Sequence, residues 1–233
     1  MTERIYSGEQ FSRLPQHGVE AQKIRALFLA YGTGYDFCRF FRQGSTYLAA
    51  LDGSFVICAQ PETDWQEIAE FISMHGFTDI FCSQDSAERL KKLLNAQFTD
   101  VALMERSAER SEDVQLPECT PSQAWDIIST RFDIKFEPWY LDMSHRVRHG
   151  ISKCISDGKA ALVVQHSING ETLLSQVAVL KEYEHTGRAR GIINEVCNAY
   201  GNTIQAVCEK NMIHFYEKCG FSRSESMTIA VKE

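Results

Sequence analysis

Between Leu173 and Gly191 the sequence LLSQVAVLKEYEHTGRARG runs from apolar, strand-forming residues into a polar stretch carrying Gly187, Arg188, Arg190 and Gly191. The pattern predicts a strand, a short glycine-bearing loop and a helix beginning near Gly191. A helix start reached this way presents unpaired backbone NH groups and the positive end of the helix dipole, which suits a phosphate or diphosphate. The stretch therefore reads as the seat of a nucleotide-like cofactor. A second chemistry-bearing segment is Phe136–Gly150, FEPWYLDMSHRVRHG, which gathers aromatic, acidic and basic side chains. Its Asp142, His145 and His149 fall at i, i+3 and i+7 on one helical face. A metal ion and a surface hydrogen-bond network both fit that spacing, and the network is the expected reading.

Composition narrows the classes around these segments. The chain has 233 residues, 44% of them hydrophobic, enough to bury a substantial core in one large domain or two smaller ones. A formal net charge of -7 and a pI near 5.6 leave no overall basic field for nucleic acid or an anionic membrane. No apolar run is long enough to span a membrane, and MTERIYSGEQ lacks the charged-then-apolar order of a secretory signal, so a cytoplasmic location is expected. The eight cysteines show no CxxC spacing and stand in apolar segments, where reduced, buried thiols are expected.

The elements that position the loop occur twice. In the first half, Thr46 to Leu51 and Ser54 to Ala59 read as strands joined through Asp52-Gly53, a hairpin turn. A helix from Asp64 to His75, a strand from Thr78 to Cys82 and a helix from about Ser86 to Asn95 follow. In the second half, Lys159 to His166 and Glu171 to Leu180 flank Asn169-Gly170. Then come a helix to Ala199, a strand from Thr203 to Cys208, a helix from Asn211 to Cys219 ended by Gly220, and a last strand from Glu225 to Val231. Glu105 to Pro121, polar and with two prolines, reads as a linker. The domains expected are 1–108, a linker over 109–120, and 121–233. Where the second half has HTGRARG before its helix, the first has QPETDW, whose carboxylates would repel a phosphate. No cofactor is expected there, the helix start being capped by its own side chain.

Strand, Thr186-Gly187-Arg188-Ala189-Arg190-Gly191, helix, strand, then FYEKCGF over Phe215–Phe221, resembles the acetyl-CoA-binding core of the GNAT superfamily of N-acetyltransferases. The family pattern is Gln or Arg, two residues, Gly, one residue, Gly or Ala. Here Thr186 stands at its first position, Ala189 at its middle glycine, and Gly191 matches. The resemblance covers about residues 121 to 233, and the first half resembles the degenerate amino-terminal unit of tandem members. It implies an α/β fold of two tandem GNAT-like units, each a mixed, mostly antiparallel sheet flanked by helices.

The resemblance also implies roles. Backbone groups of Gln176, Val177, Ala178 and Val179 would face the pantetheine and thioester of acetyl-CoA. Gly187, Arg188, Ala189, Arg190 and Gly191 would hold its diphosphate. Asn211, near the position where the family often has Asn and this chain has Glu209, would contact the pantetheine arm. Tyr216 would protonate the departing thiolate, although its spacing with Met212, Phe215 and Cys219 also suits a packed core tyrosine. Trp139, Tyr140, Asp142 and His145 fall where the family lines its acceptor pocket.

Acetyl transfer to an amine needs the free base, which for a lysine-like group costs ~4.6 kcal/mol at neutral pH, so a base or desolvation must help. His145, His149 and Glu171 are candidate bases, while His166 and His214 are expected to be structural. The reading is direct transfer from acetyl-CoA to a primary amine, by a monomer or homodimer without nucleic acid or membrane partners. A non-catalytic acyl-CoA-binding sensor is the alternative.

Overall fold

The computed structural model describes residues 1–111 and 114–233, so residues 112 and 113 of the expected linker lie outside the described residues. The chain divides into two compact units, Met1–Ala102 with Glu225–Glu233, and Leu103–Ser224. These bounds differ from the 1–108, 109–120 and 121–233 of the sequence reading: the chain's last residues fall in the first unit, and the second begins inside a strand.

The first unit opens with β1 (Glu3–Arg4), α1 (Val19–Tyr31) and β2 (Cys38–Gln43). The hairpin β3 (Thr46–Leu51) and β4 (Ser54–Cys58) turns at Asp52 and Gly53, whose φ values of 48° and 87° are those such a turn requires. α2 (Trp65–His75) leads to β5 (Asp79–Ser83) and α3 (Gln84–Leu90). α2 starts where the Asp64 side chain accepts from the Glu67 NH, and it buries Ile68, Ala69 and Ile72 in a core with Phe41, Phe55, Ile57 and Leu90. The last helix ends five residues before the Asn95 of the expected Ser86–Asn95, giving way to a turn over residues 91–93 ahead of β6 (Ala96–Ala108).

The expected linker is therefore strand through Ala108. Its charged residues have fixed partners: Glu105 accepts from Gln205 Nε2 at 2.8 Å, and Arg106 donates to Asn194 Oδ1 at 2.6 Å and to the Cys219 carbonyl at 2.8 Å. The second unit continues through β7 (Glu118–Cys119), α4 (Pro121–Ile128), α5 (Phe136–Arg148), β8 (Lys153–Ser156), β9 (Ala160–Ile168) and β10 (Glu171–Val179). Asn169 and Gly170 turn the β9–β10 hairpin at φ values of 51° and 79°. α6 (Arg188–Tyr200), β11 (Asn202–Glu209), α7 (Ile213–Lys218) and β12 (Ser222–Lys232) follow.

In the first unit the strands are ordered β1, β2, β3, β4, β5, β12; in the second, β6, β11, β10, β9, β8, β7. β4 with β5 and β10 with β11 are parallel, each pair joined by a crossover helix, α2 or α6, while β1–β2, β2–β3, β3–β4, β5–β12, β7–β8, β8–β9 and β9–β10 are antiparallel. The last strand of the second repeat does not stay with its own half, and β6 runs from the first unit into the second. β12 pairs with β5 from Met227↔Ser83 to Val231↔Asp79, and β6 stands beside β11.

Glu20, near the start of α1, shares the first unit with Cys58, Cys82 and Glu225. Burial above all, with repulsion from Glu225, pushes its carboxyl up to about 7, against the pull of its own amide, Lys23 and the Ser83 amide. Burial, with the Glu20 charge second, in turn pushes Cys58 and Cys82 up to about 12. The unfolded carboxyl ionises near 4.5, so the folded state binds the extra proton between about 4.5 and 7, and stability falls as pH rises through that window. Replacing Glu20→Gln should raise unfolding free energy by on the order of 2 kcal/mol at pH 8 and by little at pH 4.5, measured by urea titration.

Candidate functional site

The parallel pairing of β10 with β11 runs from Glu171↔Thr203 to Leu174↔Ala206 and stops there, although both strands continue. Immediately beyond, β10 bulges against β9: Ser175 faces Val163 and Ala178 faces Ala161, so one residue is in excess. Gln176 takes up the bulge at φ 53°, a left-handed conformation that costs a side-chain-bearing residue roughly 1–2 kcal/mol. Its side-chain oxygen accepts from the Trp139 indole NH at 2.9 Å. Ala178 and Val179 remain paired with Ala161 and Ala160 of β9, so past Leu174 the strand keeps its ladder to β9 and leaves the one to β11.

After β10 a short 3-10 turn, Lys181–Tyr183, leads to Gly187, which caps α6 at φ 85° with no side-chain cap. The helix starts at Arg188, three residues before the predicted position, and Gly191 lies within its first turn with its NH on the Gly187 carbonyl at 2.9 Å. Gly187, Arg188, Ala189 and Arg190 thus carry the amides without intrahelical acceptors. Thr186 does not compete for them, because its hydroxyl donates to the Tyr183 carbonyl at 2.6 Å. The crevice before the helix has a volume of about 250 Å³ and is lined by Asp157, Thr186, Gly187, Arg188, Ile192 and Glu195 among others. A Cβ at Gly187 or Gly191 would meet nothing within 4 Å, so this face is open.

The crevice is less cationic than its sequence. Arg188 Nη1 lies 3.1 Å from Asp157 Oδ2. Desolvation opposes ionisation of Asp157, but the Ala160 and Lys159 amides and the Arg188 guanidinium hold its carboxyl below the usual range. Arg190 and Arg106 partly offset the desolvation that raises the Cys219 thiol. Tyr216 is 6% exposed, its ring against Phe215 and Phe221 at 5.1 and 5.5 Å. Burial, then Cys208 and Cys219, raise its phenol further above the usual range, so it holds its proton at any physiological pH. Asn211 sits exposed in the 3-10 turn Lys210–Met212, so the helix expected over Asn211–Cys219 is a turn followed by the short α7.

α4 and α5 pack Ala124, Ile127, Ile128 and Met143 onto Cys154, Ala161, Val163 and Ala178. Trp139 joins this cluster and packs against Trp125, ring centroids 5.3 Å apart and tilted by 47°. Tyr140 lies against Phe136 at 5.2 Å, Asp142 accepts from Arg146 Nε at 2.7 Å, and the His145 and His149 rings are 4.4 Å apart. Among the described residues no cluster of three His, Cys, Asp or Glu stands ready for a metal ion.

No protein-family model and no curated protein matches the chain. Solved structures do. A putative acetyltransferase from Pyrococcus horikoshii superposes with a TM-score of 0.64 at 10% identity, covering 100% of this chain and 89% of that one. A GCN5-related N-acetyltransferase from Kribbella flavida gives 0.59 at 12% identity, with 92% and 96% covered. A tandem GNAT protein from the clavulanic acid biosynthesis pathway gives 0.54 at 8% identity, with 99% and 97% covered. The fold is a tandem GNAT fold.

On that GNAT fold, several residues read from the sequence move. Glu171 opens β10 five residues before Gln176, roughly 16 Å away along an extended strand, so it does not stand beside the bulge as a base. His149 is the exposed C-cap of α5. His166 is buried as expected, but His214 lies on the surface, 3.4 Å from Glu217. Asp157 and Glu195 escaped sequence reading. The one signal available for Asp157 is the Asp157-Gly158 dipeptide, a turn former that does not say it folds toward the start of α6. No helix of the described residues is long and apolar enough to cross a membrane.

The position of the helix start is testable by two alanines. Gly187→Ala forces a Cβ into the left-handed region and should lower unfolding free energy by about 1 kcal/mol. Gly191→Ala adds a better helix former inside α6 and should raise it by about 0.5–1 kcal/mol, both by chemical denaturation.

Proposed function

We propose that the second unit binds acetyl-CoA and transfers its acetyl group directly to a primary amine. The observation that carries this reading is the conjunction of the bulged, diverging β10–β11 pair with the uncapped start of α6 directly after β10. The fold of the GNAT structures supports it by analogy only. Acetyl-CoA supplies the activated acetyl group as a thioester; the chain's own groups do the rest. The amides of Gly187 to Arg190 offer donors to a diphosphate, with Arg190 beside them and Arg188 held by Asp157. The backbone of Gln176 to Val179, turned out of the β11 ladder, offers donors and acceptors along the cleft. Asn211 and the side chains of Tyr140, Asp142 and His145 are assigned to the pantetheine arm and the acceptor by the same reading.

Tyr216 keeps a proton for a departing thiolate. Direct transfer suits the thiols of this unit, because burial raises Cys154 to about 12 and Cys197 and Cys208 to about 11, leaving none activated as a nucleophile. The first unit would act without a cofactor. Its corresponding helix start is occupied by the Asp64 carboxylate, which accepts from the Glu67 NH at 3.2 Å.

The close packing of Tyr216 favours a second reading, a non-catalytic acyl-CoA-binding module. Tyr216→Phe separates the two. If Tyr216 is the proton donor, kcat falls on the order of 100-fold while acetyl-CoA affinity holds. Because its phenol is raised above 10, the protonated form persists through pH 9, and the wild-type rate should show no alkaline loss from Tyr216 below about pH 10. Binding of acetyl-CoA without turnover of any amine in a broad panel would establish the binding module instead.

A further inference from the structure

The left-handed bulge at Gln176 is held from outside its own strand. Its side-chain oxygen accepts the Trp139 indole NH at 2.9 Å, and an indole NH can only donate, so the contact is directional. Trp139 in turn is fixed by Trp125 of α4 at 5.3 Å, Trp125 meets Phe136 at 5.1 Å, and Phe136 meets Tyr140 at 5.2 Å. A continuous line of rings thus runs from the exposed face of α5, where Phe136 and Tyr140 are 42% and 37% exposed, to the backbone bulge. The helix carrying these rings is thinly anchored. Only Met143 of its residues is buried, and Lys135 gives its N-terminus no side-chain cap. A helix with so few buried contacts opens at low cost, so one directional tertiary hydrogen bond weighs heavily in its order.

We infer that Trp139 is a positioning residue that couples the donor cleft to α5: fixing the bulge orders the helix, and ordering the helix fixes the bulge. This rests on the acetyl-CoA reading above, since the coupling acts when the β10–β11 cleft fills. Linkage makes it reciprocal, so whatever tightens α5 tightens the cleft by the same factor. The donor then prepares the acceptor side before any amine arrives.

Hydrogen exchange read by mass spectrometry, on the full chain with and without saturating CoA, tests this. CoA should slow exchange of the α5 amides, residues 136–148, by about tenfold, the middle of the usual coupling range. Trp139→Phe keeps a ring against Trp125 but loses the donor; it should erase that slowing and weaken CoA binding by a similar factor. Gln176→Met removes the acceptor from the other side and should do the same. Gln176→Glu retains an accepting oxygen and should preserve the slowing. Unchanged β9 exchange in each variant shows that the fold is intact. If CoA binds but α5 exchange does not change, or if both bond-deleting variants still show the slowing, the coupling is overturned and the cofactor reading stands. Absence of CoA binding to the wild type would overturn both.

Discussion

Two parallel strands that stop pairing while both still run on create the demand around which the second unit is organised. Backbone NH and CO groups beyond Leu174 and Ala206 lose their partners across the ladder, and such groups must find others in protein, solvent or ligand. The bulge at Gln176 sharpens the separation by rotating the strand at its mouth. Everything assigned to the site follows from where the chain goes next. β10 leads into Gly187 and the open start of α6, while β11 leads into Asn211, α7 and Tyr216. One divergence thus brings backbone donors, a helix N-terminus and a proton-bearing phenol to the same unit of the fold.

The first unit contains the same parallel pair, with β4 and β5 in register only from Ser54↔Asp79 to Val56↔Phe81. There the demand is met internally. Asp64 caps the crossover helix, and the Ser83 amide, at the end of β5, hydrogen-bonds the Glu20 carboxyl. The two halves differ less in topology than in who satisfies the exposed groups: side chains of the chain itself in one, open donors in the other. A buried carboxyl with a proton affinity near neutrality is the cost of that internal solution.

Local patterns made much of this legible in the sequence. Asp52-Gly53 and Asn169-Gly170 announced both hairpins because two-residue turns of this kind need left-handed residues. The apolar spacing of Ile192, Ile193, Val196 and Cys197 gave the buried face of α6. The helix start was misplaced because Arg188 to Arg190 look like loop charges, whereas arginine and alanine are good helix formers and Gly187 is the residue that breaks the chain. What lay beyond reach was tertiary. An alternating strand such as β12 does not say which strand it pairs with, Asp157 does not reveal that it folds back onto Arg188, and nothing in the order of residues pairs Trp139 with Gln176 across 37 positions. Glu105 and Arg106 were read as linker because their partners, Gln205 and Asn194, are remote in sequence.

The most direct measurement is a crystal structure of the full chain grown with CoA. The account predicts one molecule per chain, its diphosphate on the amides of Gly187 to Arg190 and its pantetheine along Gln176 to Val179. Density in the first unit instead, or an empty second unit when calorimetry shows CoA bound, would contradict it.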